Sequence, residues 1–198
     1  MSARSLLAGL FMIAVAATVQ ADQWKADPVH SSVQFKVSHL VISKVVGAFN
    51  DFSANLDFDG ANVATGKVEM NISVASVDTK NPDRDKHLKS PDFFDAEKYP
   101  EITFKSKKVI KGTGDKFQLV GDMTMRGVTK EVTFDCEYHG SVEMKGKDQS
   151  TVKSGFSATA TINRQDFGVS YNKVLDSGGL AVGNEVEIML ELEFNKVS

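Results

Sequence analysis

The residues that could do chemistry are few and scattered. The 198-residue chain has four histidines, His30, His39, His87 and His139, and one cysteine, Cys136. No two histidines have the H-x-x-x-H spacing that places paired imidazoles on one helix face, so no metal site is expected. Cys136 alternates in phase with Phe134 and Tyr138. That phase predicts a small buried hydrophobe rather than a catalytic thiol. His39 shares strand parity with Phe35 and Val37, at the end of an apolar row. His139 falls on a polar row and is expected to be solvated.

Arg84, Asp85 and His87 lie together in one polar connection. They read either as a structural cluster, with Arg84 paired to Asp85 or Asp92 and His87 packed on Leu88, or as a polar rim. Arg164 and Asp166 are two residues apart on one face of an expected strand, a spacing that favours a salt bridge or loop anchor over catalysis. Lys130 shares parity with Val128 and Val132 beside the Arg126-Gly127 turn, so its stem is expected to snorkel out of a sheet end. No G-x-S-x-G motif occurs, and Gly178-Gly179 lacks the strand-before, helix-after setting of a phosphate loop. No catalytic residue is assigned.

The elements that would position these groups are mostly strands. Glu185-Val186-Glu187-Ile188-Met189-Leu190-Glu191-Leu192-Glu193-Phe194 alternates acid and hydrocarbon. Successive strand side chains point to opposite faces, so this segment has one wet and one apolar face. The pattern recurs at Val33–Val37, Phe52–Phe58, Val68–Val74, Ile102–Phe104, Phe117–Met125, Val128–Tyr138 and Phe156–Ile162. Parity slips between Phe49 and Phe52, which predicts a bulge. Between Asp78 and Pro100 the alternation stops. Asn81-Pro82 reads as a helix start, and Ser90-Pro91 as a second capped turn. About eight strands with short connections predict an antiparallel sheet, either a sandwich or a closed up-and-down barrel. Strand number and length favour the barrel. Periodicity alone leaves its interior open: a dry core or a bound molecule.

Length and composition fit one soluble domain, with 41% hydrophobic residues and a formal charge of −3. That charge gives no basic surface for nucleic acid. A lone cysteine excludes a disulfide within the chain. Arg4, the apolar run Leu6–Ala17 and the small residues ending at Ala21 read as a secretory signal peptide over 1–21, leaving a domain over 22–198. The apolar run is short for a bilayer span. The expected location is the periplasm.

The chain resembles the YceI-like family of exported, lipocalin-like proteins. The resemblance rests on Arg84-Asp85-Lys86-His87-Leu88-Lys89-Ser90-Pro91-Asp92-Phe93-Phe94-Asp95, followed by Tyr99-Pro100-Glu101-Ile102-Thr103-Phe104. Asp27-Pro28-Val29-His30-Ser31, Gly121–Thr129 and Asn163-Arg164-Gln165-Asp166-Phe167-Gly168 support it. It implies an all-β fold, an eight-stranded antiparallel up-and-down barrel with short helical connections near one end. It also implies a polyisoprenoid or isoprenoid quinone held in the lumen for storage, sequestration or transport, with no other cofactor required.

The lumen wall is then expected to include Phe35, Val37, His39, Phe52, Leu56, Met70, Ile72, Phe104, Leu119, Met123 and Phe134. From the later strands it would take Phe156, Ala158, Ala160, Ile162, Ile188, Leu190 and Leu192. The small residues Gly121, Ala158 and Ala160 are expected to leave room for a ligand. Arg84, His87 and Lys130 become candidates for a head-group rim. The resemblance further allows a homodimer and transient contact with a membrane or with lipid enzymes. Two alternatives stay in view: an enzyme acting on a lumen-bound lipid, and a solid-core interaction or stress protein.

Overall fold

The computed structural model describes residues 21–60, 62–146, 150–176 and 178–197. The signal-peptide reading over 1–21 falls on residues of which only Ala21 is described. Eleven strand segments form one sheet: β1 Asp22–Ala26, β2 Ser32–His39, β3 Ser43–Phe49, β4 Phe52–Phe58, β5 Lys67–Ser73, β6 Val77–Asp78, β7 Glu101–Lys111, β8 Lys116–Met125, β9 Val128–Lys145, β10 Ser150–Asn163 and β11 Val182–Lys196.

These segments make eight long strands. β1 and β2 are two halves of the first, β3 and β4 of the second, and β5 and β6 of the third. The pairings show it. β2 pairs β3 while β1 pairs β4, and β4 pairs β5 while β3 pairs β6. β5, β7, β8, β9, β10 and β11 then follow as antiparallel neighbours. β11 returns to pair with both β1 and β2, which closes an up-and-down barrel. The expected slip near Phe49 is the break at Asn50-Asp51 between β3 and β4.

Register sets which face is wet. Opposite residues of an antiparallel pair lie on the same face. Phe156 faces Leu192, Ala158 faces Leu190, Ala160 faces Ile188 and Ile162 faces Val186, so the apolar rows of β10 and β11 coincide inside. Glu187 lies on the outer row, where it meets Lys36 of β2 at 2.7 Å. The acid row of the closing strand is therefore outside.

The 22–26 segment, which alternation did not identify, is anchored by Trp24. Its ring is buried on Phe58, 6.2 Å between centroids, and its indole N–H donates to the Phe58 carbonyl at 2.9 Å. Burying this indole satisfies its one donor, as a buried Trp requires.

The chain between β6 and β7 crosses one end of the barrel. The only α-helix among the described residues, α1, runs Pro82–Lys89. Asn81 caps it by accepting from the Arg84 N–H, with Pro82 at the first turn. Ser90 closes this helix and also caps the turn after it, as expected, its hydroxyl oxygen accepting from the Asp92 N–H at 3.4 Å, although that turn is not helical. The Ser90 N–H and hydroxyl both donate to the His87 carbonyl, and residues 91–94 are turns. Arg126 ties these turns to the β8–β9 hairpin by donating to the Pro91 and Phe93 carbonyls. That hairpin turns through positive φ at both Arg126 and Gly127 (52° and 73°), the geometry that matches the twist of paired strands. Gly127 is needed twice over, because a Cβ there would sit 2.7 Å from the Tyr99 ring.

A polar clasp locks the β1–β2 junction to β10 and β11. Lys153 bridges Asp27 at 3.2 Å and Glu193, while His30 Nδ1 lies 2.9 Å from Asp27. Asp27, His30 and Glu193 could by distance hold a metal ion, but the Lys153 ammonium already occupies the space between the two carboxylates. The His30 hydrogen bond, together with those from Lys153, the Val29 N–H and Asn195, holds the Asp27 carboxyl far below its ordinary value despite burial. A carboxylate whose folded pKa is depressed adds stability above its unfolded pKa, about 4, and loses it as pH falls. Asp27→Asn is therefore expected to lower stability to denaturant at pH 7. The difference from the parent should shrink steadily below about pH 4. Urea titrations across that range check both points.

Candidate functional site

The apolar rows converge on a divided lumen. One cavity encloses about 110 Å³ and is lined by Leu56, Phe58, Val68, Met70, Phe104, Phe117, Leu119, Phe134, Cys136, Phe156, Ala158, Leu190, Leu192 and Phe194, among others. A second encloses about 100 Å³ toward the α1 end and is lined by Val33, Phe35, Val37, Phe49, Leu88, Phe93, Phe94, Met125, Ile162, Arg164, Val169, Val182 and Val186, among others. Ile72, Ile102, Met123 and Ile188 line both. These four side chains form a diaphragm across the middle of the barrel.

The two ends are closed differently. At the far end Phe58 meets Tyr138 and Phe156 edge-on, at 5.4 and 5.7 Å between centroids, and Phe156 meets Phe194 at 5.9 Å. Edge-to-face contacts of this kind add to the burial of the rings. Tyr138 keeps its hydroxyl at the rim, donating to the Gly60 carbonyl and sharing a hydrogen bond with Ser141. At the near end α1 and the following turns place Leu88, Phe93 and Phe94 over the opening, with Phe94 edge-on to Phe49 at 5.7 Å.

Most residues expected in the wall line one cavity or the other. Leu56, Met70, Phe104, Leu119, Phe134, Phe156, Ala158, Leu190 and Leu192 line the first. Phe35, Val37 and Ile162 line the second, and Ile72, Met123 and Ile188 line both. Three expected members line neither. Phe52 packs half-buried against the core, Ala160 is buried in the wall, and His39 lies at the end of β2 beyond Val37. The room expected at Gly121 is taken by the Phe104 ring, which would lie 2.4 Å from a Cβ there. Phe35 likewise covers Gly47. In both places glycine admits a ring rather than a ligand.

The expected rim residues are differently placed. Arg84 pairs with neither Asp85 nor Asp92. Its guanidinium donates to the Thr79 hydroxyl and carbonyl, both at 2.7 Å, while Asp85 accepts from the Thr79 N–H at 2.8 Å and hydroxyl at 2.5 Å. This cluster fixes the start of α1 and lines neither cavity. His87 lies 2.8 Å from Asp92 and packs edge-on against Phe93 and Tyr171, at 5.0 and 4.9 Å. It stands above the near end without lining it. Lys130 shares a face with Met123 but is exposed, so its chain leaves the barrel end as expected.

Arg164 is the loop anchor expected of it, but it does not share a strand face with Asp166. Residues Arg164–Phe167 form a 3₁₀ turn, not a strand. The turn separates Arg164, which is buried to 4% exposure, from Asp166, which is exposed. The guanidinium donates to the carbonyls of Val169 (2.6 Å), Gly183 (2.8 Å) and Val182 (3.3 Å). Burial pulls its pKa below the ordinary value. It is the one charged side chain among the described residues lining either cavity. Its hydrogen bonds tie the loop after β10 to the start of β11. Cys136 behaves as its parity predicts, buried in the wall with its thiol pushed up to about 12 by burial.

Alternation could have supplied Phe58, Val68, Ile102, Phe117 and Phe194, which share the inward parity. Leu88, Phe93 and Phe94 had a weaker signal, an aromatic pair inside an otherwise polar connection. Nothing in the sequence indicates the diaphragm. It arises because inward positions from β5, β7, β8 and β11, far apart in sequence, border both cavities in the closed barrel.

Such an interior, apolar except for Arg164 and Gln34 in the second cavity and Ser157 in the first, suits an apolar molecule, and the described residues that line it assemble no nucleophile and base. A UPF0312 protein of Staphylococcus aureus is 39% identical over 169 residues, covering 85% of this chain and 95% of its own. The crystal structure of a Campylobacter jejuni YceI protein superposes with a TM-score of 0.68 at 38% identity, over 82% of this chain and 91% of the other. A polyisoprenoid binding domain from Saccharophagus degradans shares the fold, with a TM-score of 0.61 at 13% identity over 88% of this chain and 98% of its own. Residues 24–194 match the model of the YceI-like domain, and the chain belongs to the YceI-like family.

Proposed function

We propose that this protein binds a polyisoprenoid lipid or isoprenoid quinone along its lumen and holds it for storage, sequestration or transport, outside the cytoplasm after removal of residues 1–21. The observation that carries the reading is the pair of predominantly apolar cavities meeting at one diaphragm. The polyisoprenoid binding named for the Saccharophagus degradans domain supports the ligand class. The apolar run behind Arg4 supports export. Our reading has the protein hold its lipid without a chemical step.

The energetics suit a prenyl chain. Burial at about 0.8 kcal/mol per CH₂ gives roughly 3–4 kcal/mol per five-carbon unit as an upper bound. Chain ordering offsets part of this. A few units suffice for firm binding with no head-group contact. The cavities themselves, about 110 and 100 Å³, are small beside the roughly 300–1,000 Å³ of sites that enclose a drug-sized molecule. A long chain must therefore move side chains aside. Met123 is the member of the diaphragm best able to do so, since its unbranched thioether changes rotamer at low cost.

Organic extraction of natively purified protein, followed by mass spectrometry, is expected to release an isoprenoid. Protein that is repeatedly empty and also refuses added prenyl lipids would overturn the reading. Leu119→Glu places a carboxylate in the wall of the first cavity, and a variant that still folds should lose prenyl-lipid uptake. Unchanged uptake would remove this lumen assignment. Met123→Ala should merge the two cavities. We expect it to cost about 2–5 kcal/mol in the empty protein and to admit a longer prenol than the parent, read by competition with a fluorescent hydrophobic probe.

A further inference from the structure

The turn between β2 and β3 carries the longest run of consecutive exposed large apolar residues among the described residues. Leu40, Val41 and Ile42 have 38%, 68% and 86% of their surface exposed. Folded surfaces seldom keep such a run without a use for it. The backbone is costly too. Leu40 and Val41 both adopt positive φ, 54° and 66°, which for a β-branched residue is an outlier. Asn or Gly would make the same turn with less strain. Strain of this kind persists where surrounding structure enforces it, and it does so here. The Leu40 N–H donates to the Ala181 carbonyl at 2.9 Å, and the Ser43 hydroxyl and Ile42 N–H both donate to the His39 carbonyl.

The same corner holds further features. The Ala181 N–H donates to the Lys173 carbonyl at 2.9 Å, which ties the 169–181 loop to the turn. That loop adds exposed Val174 beside exposed Lys173, with Asp176 its one acid, and Lys44 is exposed two residues after Ile42, where its charge also reaches Glu187 on the outer row of β11. The corner also adjoins the second cavity. Val37, three residues before Leu40, and Val182, next to Ala181, both line it.

We propose that the Leu40–Ile42 turn is a membrane-docking tip. It seats its side chains among the head groups of a phospholipid bilayer, with Lys44 and Lys173 meeting anionic lipids. A second copy of the chain fits the feature less well. Three side chains on a turn supply far less than the roughly 800 Å² per partner of a stable protein interface. A bilayer needs no complementary surface, only apolar side chains and flanking cations. The use of such docking, loading or unloading the lumen at its α1 end, rests on the lipid-holding reading. The docking itself does not.

Flotation of the purified protein with vesicles tests the tip. The probes are phosphatidylcholine alone and phosphatidylcholine mixed with phosphatidylglycerol. The parent should float with the mixed vesicles and less with the neutral ones. Val41→Ser/Ile42→Ser should lower the bound fraction about tenfold. The variant should melt no lower than the parent and take up prenol from detergent as well as it does. A parent that stays unbound to both vesicles, or a variant that floats equally, would overturn the proposal. So would a parent dimer that the double substitution dissociates without any vesicle binding, since that result assigns the turn to a second copy. Docking by a protein that takes up no prenol would leave the tip in place and remove the lipid-holding reading instead.

Discussion

The structure depends on closure of its sheet. β11 pairs with β10 on one side and with both halves of the first strand on the other. Closure removes the unpaired edge that an open sheet of this size would present to other chains. It also makes one row of every strand an inner wall that water reaches only through the ends. The short β1 segment is the keystone, since it pairs with β4 and β11 at once. Trp24 and the Asp27–Lys153–Glu193 clasp are what hold a five-residue strand in that place.

Closure fixes the width of the lumen as well. An eight-stranded barrel is just wide enough for its own side chains or one slender ligand. This barrel lies between those limits. Phe104 and Phe35 fold over glycines and fill what would be free space. Ile72, Ile102, Met123 and Ile188 cross the middle. The remaining space forms two apolar chambers instead of one channel. A flexible hydrocarbon chain can occupy such an interior by displacing rotamers. A rigid polar molecule would lose its hydration and find little to replace it.

The charged groups Arg84, Asp85 and Arg164 are already used by the fold. Arg84 and Asp85 share Thr79, and Arg164 spends its hydrogen bonds on the carbonyls of its own loop and of β11. Each satisfies backbone or side-chain groups that burial would otherwise leave unpaired. The charged residues that first suggest chemistry thus shape the α1 end of the barrel and the entry into β11.

Much of this was legible from the residues alone. Alternation in the segment ending at Phe194 determined which of its side chains are wet, because the two-residue period of a strand is a local property of the backbone. The same rule placed Cys136, Met70 and Leu190 on the apolar side, and Asn81-Pro82 fixed the start of α1. The 22–26 segment escaped it, since five residues with one buried Trp carry too little pattern. Arg164 was misplaced because a 3₁₀ turn and a strand end look alike over four residues. Which inward residues meet across the barrel, whether a glycine leaves room or admits a ring, and where the diaphragm lies were decided only by tertiary structure. Those outcomes depend on the register and closure of strands far apart in sequence, and periodicity within one strand carries no information about the height at which another meets it.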